Sequence, residues 1–455
     1  MKLDTDLIRR YDGNGPRYKT YPTAQNFDPA FDVLAYRKAA LLSNQSMTPL
    51  TIHVQMPLCR SPDPYCGCSE RTAHSTIESE RYVRALGAEM ELQAALFSHE
   101  RRVEHINFGS GTATFLTLQQ LDAVMQKLRN EFTCAPPEER EASIEIDPST
   151  VSVATIAGLA RLGFDRISLG SQEFDTSVPI EADRTQSIEA TREIVRAARR
   201  HGISLITVDL IYGLPRHTLQ SFEHTLGTLI DIRPTQVAVF GYARIPSLLK
   251  AQHRIPAAEL PPPTERLQQL RLTIERLTAA GYLYIGMDRF ALPQDAYCRG
   301  QRKGNRHPKF ESYASPADRD LIGLGVRSIS KIGAAYAQNV GTLREYYERL
   351  DKHQLPVARG IELTQDDSLR RDVIQALMCC GRIELAQIEQ ARCINFHEYF
   401  ASELERLKPL HADGLVELNP DSIRLTERGR FLARNVAMVF DAHLKPTGAS
   451  LSKAM

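Results

Sequence analysis

From about residue 48 to about residue 285, short β-rich runs alternate with longer amphipathic stretches, and this alternation is the pattern of a parallel sheet with crossover helices. The candidate strands are Leu50 to Met56, Val103 to Phe108, Ser143 to Ile146, Arg166 to Leu169, Leu205 to Ile211, Gln236 to Phe240 and Tyr282 to Ile285. Helical spacing fills the gaps, as in Ile77 to Ser98, Leu118 to Phe132, Val153 to Leu162, Thr185 to His201, Leu219 to Ile232 and Pro263 to Ala280. The expected fold class is therefore α/β, a complete or partial parallel β/α barrel. Polar groups follow the candidate strands at their C-terminal ends: the Cys59 loop, Gly109-Ser-Gly-Thr112, Glu145 with Asp147, Gln172, Asp209, Tyr242 with Arg244, and Asp288. In a β/α barrel those ends form the one face that carries the active site.

Four regions are expected. Residues 1–47 read as an N-terminal arm rich in Tyr and Arg, and 48–300 as the barrel. Residues 301–364 read as a substrate-side loop and connecting region, and 365–455 as a helical, winged-helix-like C-terminal domain closed by a short hairpin. The stretch from Arg289 to Asp320 carries Arg299, Arg302, Lys303, Arg306, His307 and Lys309, which suits either a solvated loop or a carboxylate-binding lid. Cys379 and Cys380 fall on helical spacing and are expected to be buried.

Charge narrows the partners. The 455 residues hold 56 Lys plus Arg against 55 Asp plus Glu, so the net charge of +1 gives no global attraction to nucleic acid or a membrane surface. No apolar run approaches the roughly 20 residues of a membrane span, and the N-terminus is too polar for a signal peptide. A cytoplasmic location is expected, where the eight cysteines are not a disulfide framework and clustered thiols indicate metal or redox chemistry. The cluster is the loop Cys59-Arg-Ser-Pro-Asp63-Pro-Tyr65-Cys66-Gly-Cys68. A [4Fe-4S] cluster held by three thiolates leaves one iron open for S-adenosylmethionine. The signature is three cysteines at x3 and x2 spacing after the first strand, and here Asp63 stands in the middle position.

The chain resembles the oxygen-independent coproporphyrinogen III dehydrogenases, a radical S-adenosylmethionine family, from about Leu7 to about His443. The resemblance rests on Gly15-Pro-Arg-Tyr18, Tyr21-Pro-Thr-Ala24, Cys66-Gly-Cys68, Ser143-Ile-Glu-Ile-Asp-Pro148, Asp209-Leu-Ile-Tyr-Gly-Leu-Pro215, Gly286-Met-Asp288, Tyr336-Ala-Gln-Asn339 and Arg370-Arg-Asp-Val-Ile374. It implies oxidative decarboxylation of two propionates of coproporphyrinogen III to vinyl groups, giving protoporphyrinogen IX. It also implies a [4Fe-4S] cluster, two molecules of S-adenosylmethionine, an electron donor such as a reduced flavodoxin or ferredoxin, and a monomer. Carried over by position, Cys59, Asp63 and Cys66 are the cluster ligands. The cofactor-binding residues are His53, Tyr65, Ser110, Gly111, Thr112, Glu145, Gln172, Arg184, Asp209, Ala243 and Ile329.

Five positions within or beside the cluster and cofactor contacts depart from the family pattern: His53, Gln55, Asp63, Ser110 and Ala113. His53-Val-Gln55-Met-Pro-Leu-Cys59 replaces Tyr-x-His-x-Pro-Phe-Cys, Gly109-Ser110-Gly111-Thr112-Ala113 replaces Gly-Gly-Gly-Thr-Pro, and Asp63 replaces a cysteine. A carboxylate is a harder donor than a thiolate and matches a sulfide-rich cluster less well. Three alternatives stay open at this point: Cys68 as substitute ligand, a zinc ion on the remaining thiols with His53 or His74, and a paralogue without radical chemistry that binds or carries haem or porphyrin.

Overall fold

The computed structural model describes residues 5–11, 15–59, 71–72, 76–172, 174, 188–244, 252–253, 255–295, 298 and 319–444. Its centre is a twelve-stranded sheet. The strands are β1 (Leu50–Gln55), β2 (Val103–Gly109), β3 (Glu141–Ile146), β4 (Arg166–Gln172), β5 (Leu205–Tyr212), β6 (Gln236–Gly241), β7 (Leu283–Gly286), β8 (Arg289–Ala291), β9 (Asp320–Leu324), β10 (Ile329–Ile332), β11 (Ala335–Asn339) and β12 (Val357–Glu362). They lie in the order β12-β11-β10-β9-β1-β2-β3-β4-β5-β6-β8-β7. From β9 through β6 every pairing is parallel. The flanks, β8 with β7 and β10 to β12, are antiparallel. Among the described residues no pairing joins β7 to β12, so the barrel is partial.

Alternation along the strands explains the two faces. Leu50, Ile52 and Val54 of β1 are at most 1% exposed and pack outward on the helices, while Thr51, His53 and Gln55 point to the concave side. In β3, Ala142, Ile144 and Ile146 pack outward while Glu141, Ser143 and Glu145 point inward. The outer layer consists of α2 (Thr76–Ala94), α3 (Leu118–Glu131), α4 (Val153–Leu162), α5 (Ile188–Arg200), α6 (Leu219–Ile232) and α7 (Pro263–Ala279), preceded in the chain by α1 (Val33–Ser43). Capping boxes at Thr117 with Gln120, Ser152 with Thr155 and Thr218 with Ser221 start α3, α4 and α6.

The last candidate strand differs from expectation. Tyr282 to Ile285 was expected to continue the parallel series. Instead Leu283–Gly286 turns back through Met287 and Asp288 into β8, which pairs antiparallel with β6. Both turn residues have positive φ, 49° and 59°, which makes this tight reversal. The sheet also continues past the boundary placed at 300, because β9 lies parallel to β1 and carries β10 to β12 beyond it. Asp320, placed at the end of the basic loop, is buried in an ion pair with Arg101 at 2.6 Å. Residues 299–318, with Arg299, Arg302, Lys303, Arg306, His307 and Lys309, lie outside the described residues.

The N-terminal segment does not stand apart either. Tyr18 donates to Asp441 at 2.9 Å, and Leu7, Tyr18 and Tyr21 join the hydrophobic core of the C-terminal domain. Further on, Asp28 bridges Gly360 of β12, and α1 packs against β10, β11 and β12. The C-terminal domain has a helix, Gln365–Gln375, a π-helical turn, Ala376–Cys380, and a three-stranded sheet of Arg382–Glu384, Ser422–Leu425 and Val416–Leu418. Cys379 and Cys380 are half-buried rather than buried. The wider turn brings the Cys379 thiol to 3.8 Å from Met287 Sδ, at the junction with the β7–β8 turn.

Candidate active site

Three neighbouring strands place a polar chain on the concave face. Asn107 of β2 donates through Nδ2 to Ser143 Oγ of β3 at 2.6 Å, which turns its Oδ1 toward His53 Nδ1 of β1 at 2.7 Å. Asn107 Oδ1 only accepts, so this orientation puts the imidazole proton on Nδ1 and leaves Nε2 as the acceptor for Ser110 Oγ at 3.3 Å. Burial lowers the pKa of His53, keeping the ring neutral.

Ser110 opens a turn built around backbone contact. Its φ is +61°, unusual for a residue with a side chain, and Gly111 follows at +155°. A Cβ on Gly111 would lie 1.9 Å from the Met56 carbonyl oxygen, so only glycine permits this approach. Met56 N–H donates to Gly109 O at 3.0 Å and Gln55 Nε2 to Ser110 O at 3.2 Å, fastening the turn to the chain that enters the cysteine loop. His53, Gln55 and Ser110, three of the five departures from the family pattern, thus form one contact set. Thr112 begins the short helical turn Ala113–Phe115.

Beneath this turn sit two carboxyls. Glu145 at the end of β3 accepts hydrogen bonds from the Ser110 and Gly111 N–H groups. Burial first, and then the charge of Asp209, raise its pKa to about 7. Asp209 on β5 is raised to about 6 by burial, with Arg289 of β8 opposing the shift. Two acids poised this way can accept hydrogen bonds from an ammonium or from ribose hydroxyls. The N-terminal segment crosses the strand ends above them. The Arg17 guanidinium lies 6.0 Å from the Phe240 ring centroid, and Lys19 is near enough to both Glu145 and His53 to influence their titration. Arg434 of the C-terminal domain approaches Asp288 at 3.8 Å.

The structure therefore brings together His53, Ser110, Gly111, Thr112, Glu145 and Asp209 of the expected cofactor residues. Ala243 follows β6, where its carbonyl accepts from Gln252 at 3.1 Å, and Ile329 opens β10. The backbones of Cys59 and Gln172 are described; their side chains, with Asp63, Tyr65, Cys66, Cys68, His74 and Arg184, lie outside the described residues. Two strand-end groups have structural work instead: Asp147 caps the turn Pro148–Thr150, and Arg244 Nε donates to Ile255 O at 3.0 Å. Sequence reasoning missed Asn107, Ser143 and Arg289. The period-two polar series Glu141, Ser143, Glu145 inside a strand flanked by parallel neighbours was the available signal, since strands covered on both faces are ordinarily apolar throughout.

The comparisons with known proteins agree with this geometry. A model for the Radical SAM superfamily matches residues 59–229, and one for the HemN C-terminal domain matches residues 363–432. The chain is 39% identical over 442 residues to the oxygen-independent coproporphyrinogen III oxidase of Salmonella typhimurium, covering 97% of this chain and 96% of that one. It is 40% identical over 444 residues to the enzyme of the same description from Pseudomonas aeruginosa, covering 98% and 96%. The solved structure of coproporphyrinogen III oxidase (HemN) from Escherichia coli, described as a radical SAM enzyme, superposes with a TM-score of 0.91 at 37% identity, covering 98% of this chain and all of that one. With likeness of this degree from end to end, the chain belongs to the oxygen-independent coproporphyrinogen III oxidase family.

Proposed function

We propose that the protein converts coproporphyrinogen III to protoporphyrinogen IX by radical decarboxylation of two propionates, as a monomer in the cytoplasm supplied with electrons by a reduced flavodoxin or ferredoxin. The observation that carries this reading is the Glu145 and Asp209 pair beneath the Ser110–Gly111 turn, at the strand ends where a barrel enzyme does its chemistry. Family membership implies a [4Fe-4S] cluster and S-adenosylmethionine, and the residues present fit both. Gly111 lets the Ser110 turn close onto the Met56 carbonyl, where any side chain would collide, and the two acids below it offer acceptors to a cationic, hydroxylated ligand. Cys59 and Cys66 are soft donors suited to a sulfide cluster, and Asp63 is a hard third donor that makes the site weaker and more oxygen-labile.

When bound, the cluster and cofactor supply an electron and a hydrogen-atom acceptor. From each propionate the reaction takes one β-hydrogen atom, CO2 and one further electron, which passes to a separate one-electron acceptor, leaving a vinyl group. The protein's residues position the partners. Cys59, Asp63 and Cys66 hold the cluster; His53, Tyr65, Ser110, Gly111, Thr112, Glu145, Gln172, Arg184, Asp209, Ala243 and Ile329 hold two cofactor molecules; and Arg17 and Lys19 of the arm pair with propionates. The test is anaerobic reconstitution with iron and sulfide, EPR of the reduced protein and an assay for 5′-deoxyadenosine, on the natural chain and on Asp63→Cys. A cluster signal and product in both are expected. No cluster in the natural chain, with recovery in Asp63→Cys, would overturn the enzyme reading in favour of a tetrapyrrole-binding protein.

A further inference from the structure

At the opposite end of the strands, the loops that lead into β3 and β4 border an open, solvent-facing cavity of about 610 Å³. Three guanidiniums line it, from Arg129 in the last turn of α3, Arg140 immediately before β3, and Arg161 in the last turn of α4. Among the described residues none of the three is in an ion pair, and the one carboxylate of the lining, Glu131, is engaged by Lys127 at 2.8 Å. Part of this has a structural account. Arg129 Nη2 donates to Leu162 O at 2.6 Å, and the C-terminal end of α4 favours a cation such as Arg161.

Arg140 is accounted for only in part, by a hydrogen bond to the Cys134 sulfur. It is only 7% exposed, and its Nε is without a hydrogen-bond partner. Cys134, which Arg140 hydrogen-bonds, supplies a partner but no counter-charge, because burial raises that thiol's pKa more than Arg140 lowers it and keeps it neutral. A Cβ added to Gly163 would lie 3.1 Å from Arg140 Nη2 and 3.6 Å from Arg129 Nη2, so two guanidinium ends converge on one spot beside the cavity. A charge buried without a counter-ion is costly, and an anion in the cavity would compensate it.

We propose that this cavity is a binding site for a small anionic metabolite bearing a phosphate or several carboxylates, held by Arg129, Arg140 and Arg161, with its apolar part against Phe132 and Pro136. The guanidinium fork suits either anion. The test is calorimetric titration of the full chain with inorganic pyrophosphate and, separately, with citrate. Arg161→Glu alters an exposed side chain, Arg140→Met the buried one, and Arg37→Glu, on the outer surface of α1, serves as the control. Saturable binding of one probe is expected, weakened by roughly tenfold or more in Arg161→Glu and Arg140→Met and unchanged in Arg37→Glu. The preferred probe identifies the ligand as a phosphate or a carboxylate. Absence of binding by both probes, or binding that persists undiminished in Arg161→Glu, would overturn the site.

Discussion

Ser110 concentrates what is particular to this chain. A left-handed conformation costs a residue with a Cβ roughly 1–2 kcal/mol, and the hydroxyl contact with His53 Nε2 at 3.3 Å offsets part of that cost. Replacement of a family glycine and of a family tyrosine are therefore one change seen at two positions, which a sequence presents as two unrelated departures 57 residues apart. The N–H groups of the turn so held, with nearby Lys19, oppose the rise that burial and Asp209 impose on Glu145. With a pKa raised to about 7, its ionised fraction grows between pH 6 and 8, so S-adenosylmethionine affinity should rise over that interval, by up to about tenfold. Equilibrium binding measured across this range should give a steep profile in the natural chain and, with only Asp209 left to titrate, one of roughly twofold in Glu145→Gln. The same profile in both would show that Glu145 does not contact the cofactor.

Among the elements, the parallel core was legible because strand and helix periods alternate cleanly up to β6, and capping boxes mark the helix starts. The sheet edges were not. β9 to β12 are short, and what recruits them is tertiary: Glu89 of α2 is fully buried and accepts from Gly325 N at 2.7 Å, Asn339 Nδ2 at 2.7 Å and Tyr346 OH at 2.5 Å. One carboxyl thereby fixes the β9–β10 turn, β11 and the helix Leu343–Leu350, and nothing local in the sequence announces a bond 250 residues long. Glu89→Gln turns an amide N–H toward one of three donors and should cost roughly 1–3 kcal/mol in urea unfolding. The sign of its pH dependence follows from the raised pKa, about 7. The folded state holds a proton that the unfolded chain releases near pH 4.5, so the carboxyl's contribution diminishes as pH rises through that window. The stability gap between natural and variant chains should thus be wider at pH 5 than at pH 8; a gap that widens with pH would contradict this.

Across the whole molecule, the N-terminal segment ties the sheet to the C-terminal domain and passes over the strand ends between them. Tyr18 is anchored on Asp441 at 2.9 Å, Asp28 on Gly360, and between these anchors Arg17 and Lys19 are exposed toward Phe240, Asp288 and Glu145. A chain of net charge +1 cannot attract a tetracarboxylate by its overall field. The attraction must be local, and this crossing segment is the described place where exposed cations meet the carboxyl pair. Arg17→Glu should therefore raise KM for coproporphyrinogen III by roughly tenfold, with the penalty shrinking as salt is added because exposed charges are screened. Affinity for S-adenosylmethionine should stay unchanged, since Arg17 stands over Phe240 rather than in the Ser110 turn. Steady-state kinetics at low and high ionic strength, with the same reversal at Arg37 for comparison, separates the two effects. An equal rise in KM for both variants would assign the effect to the net charge of the chain and remove the arm from substrate recognition.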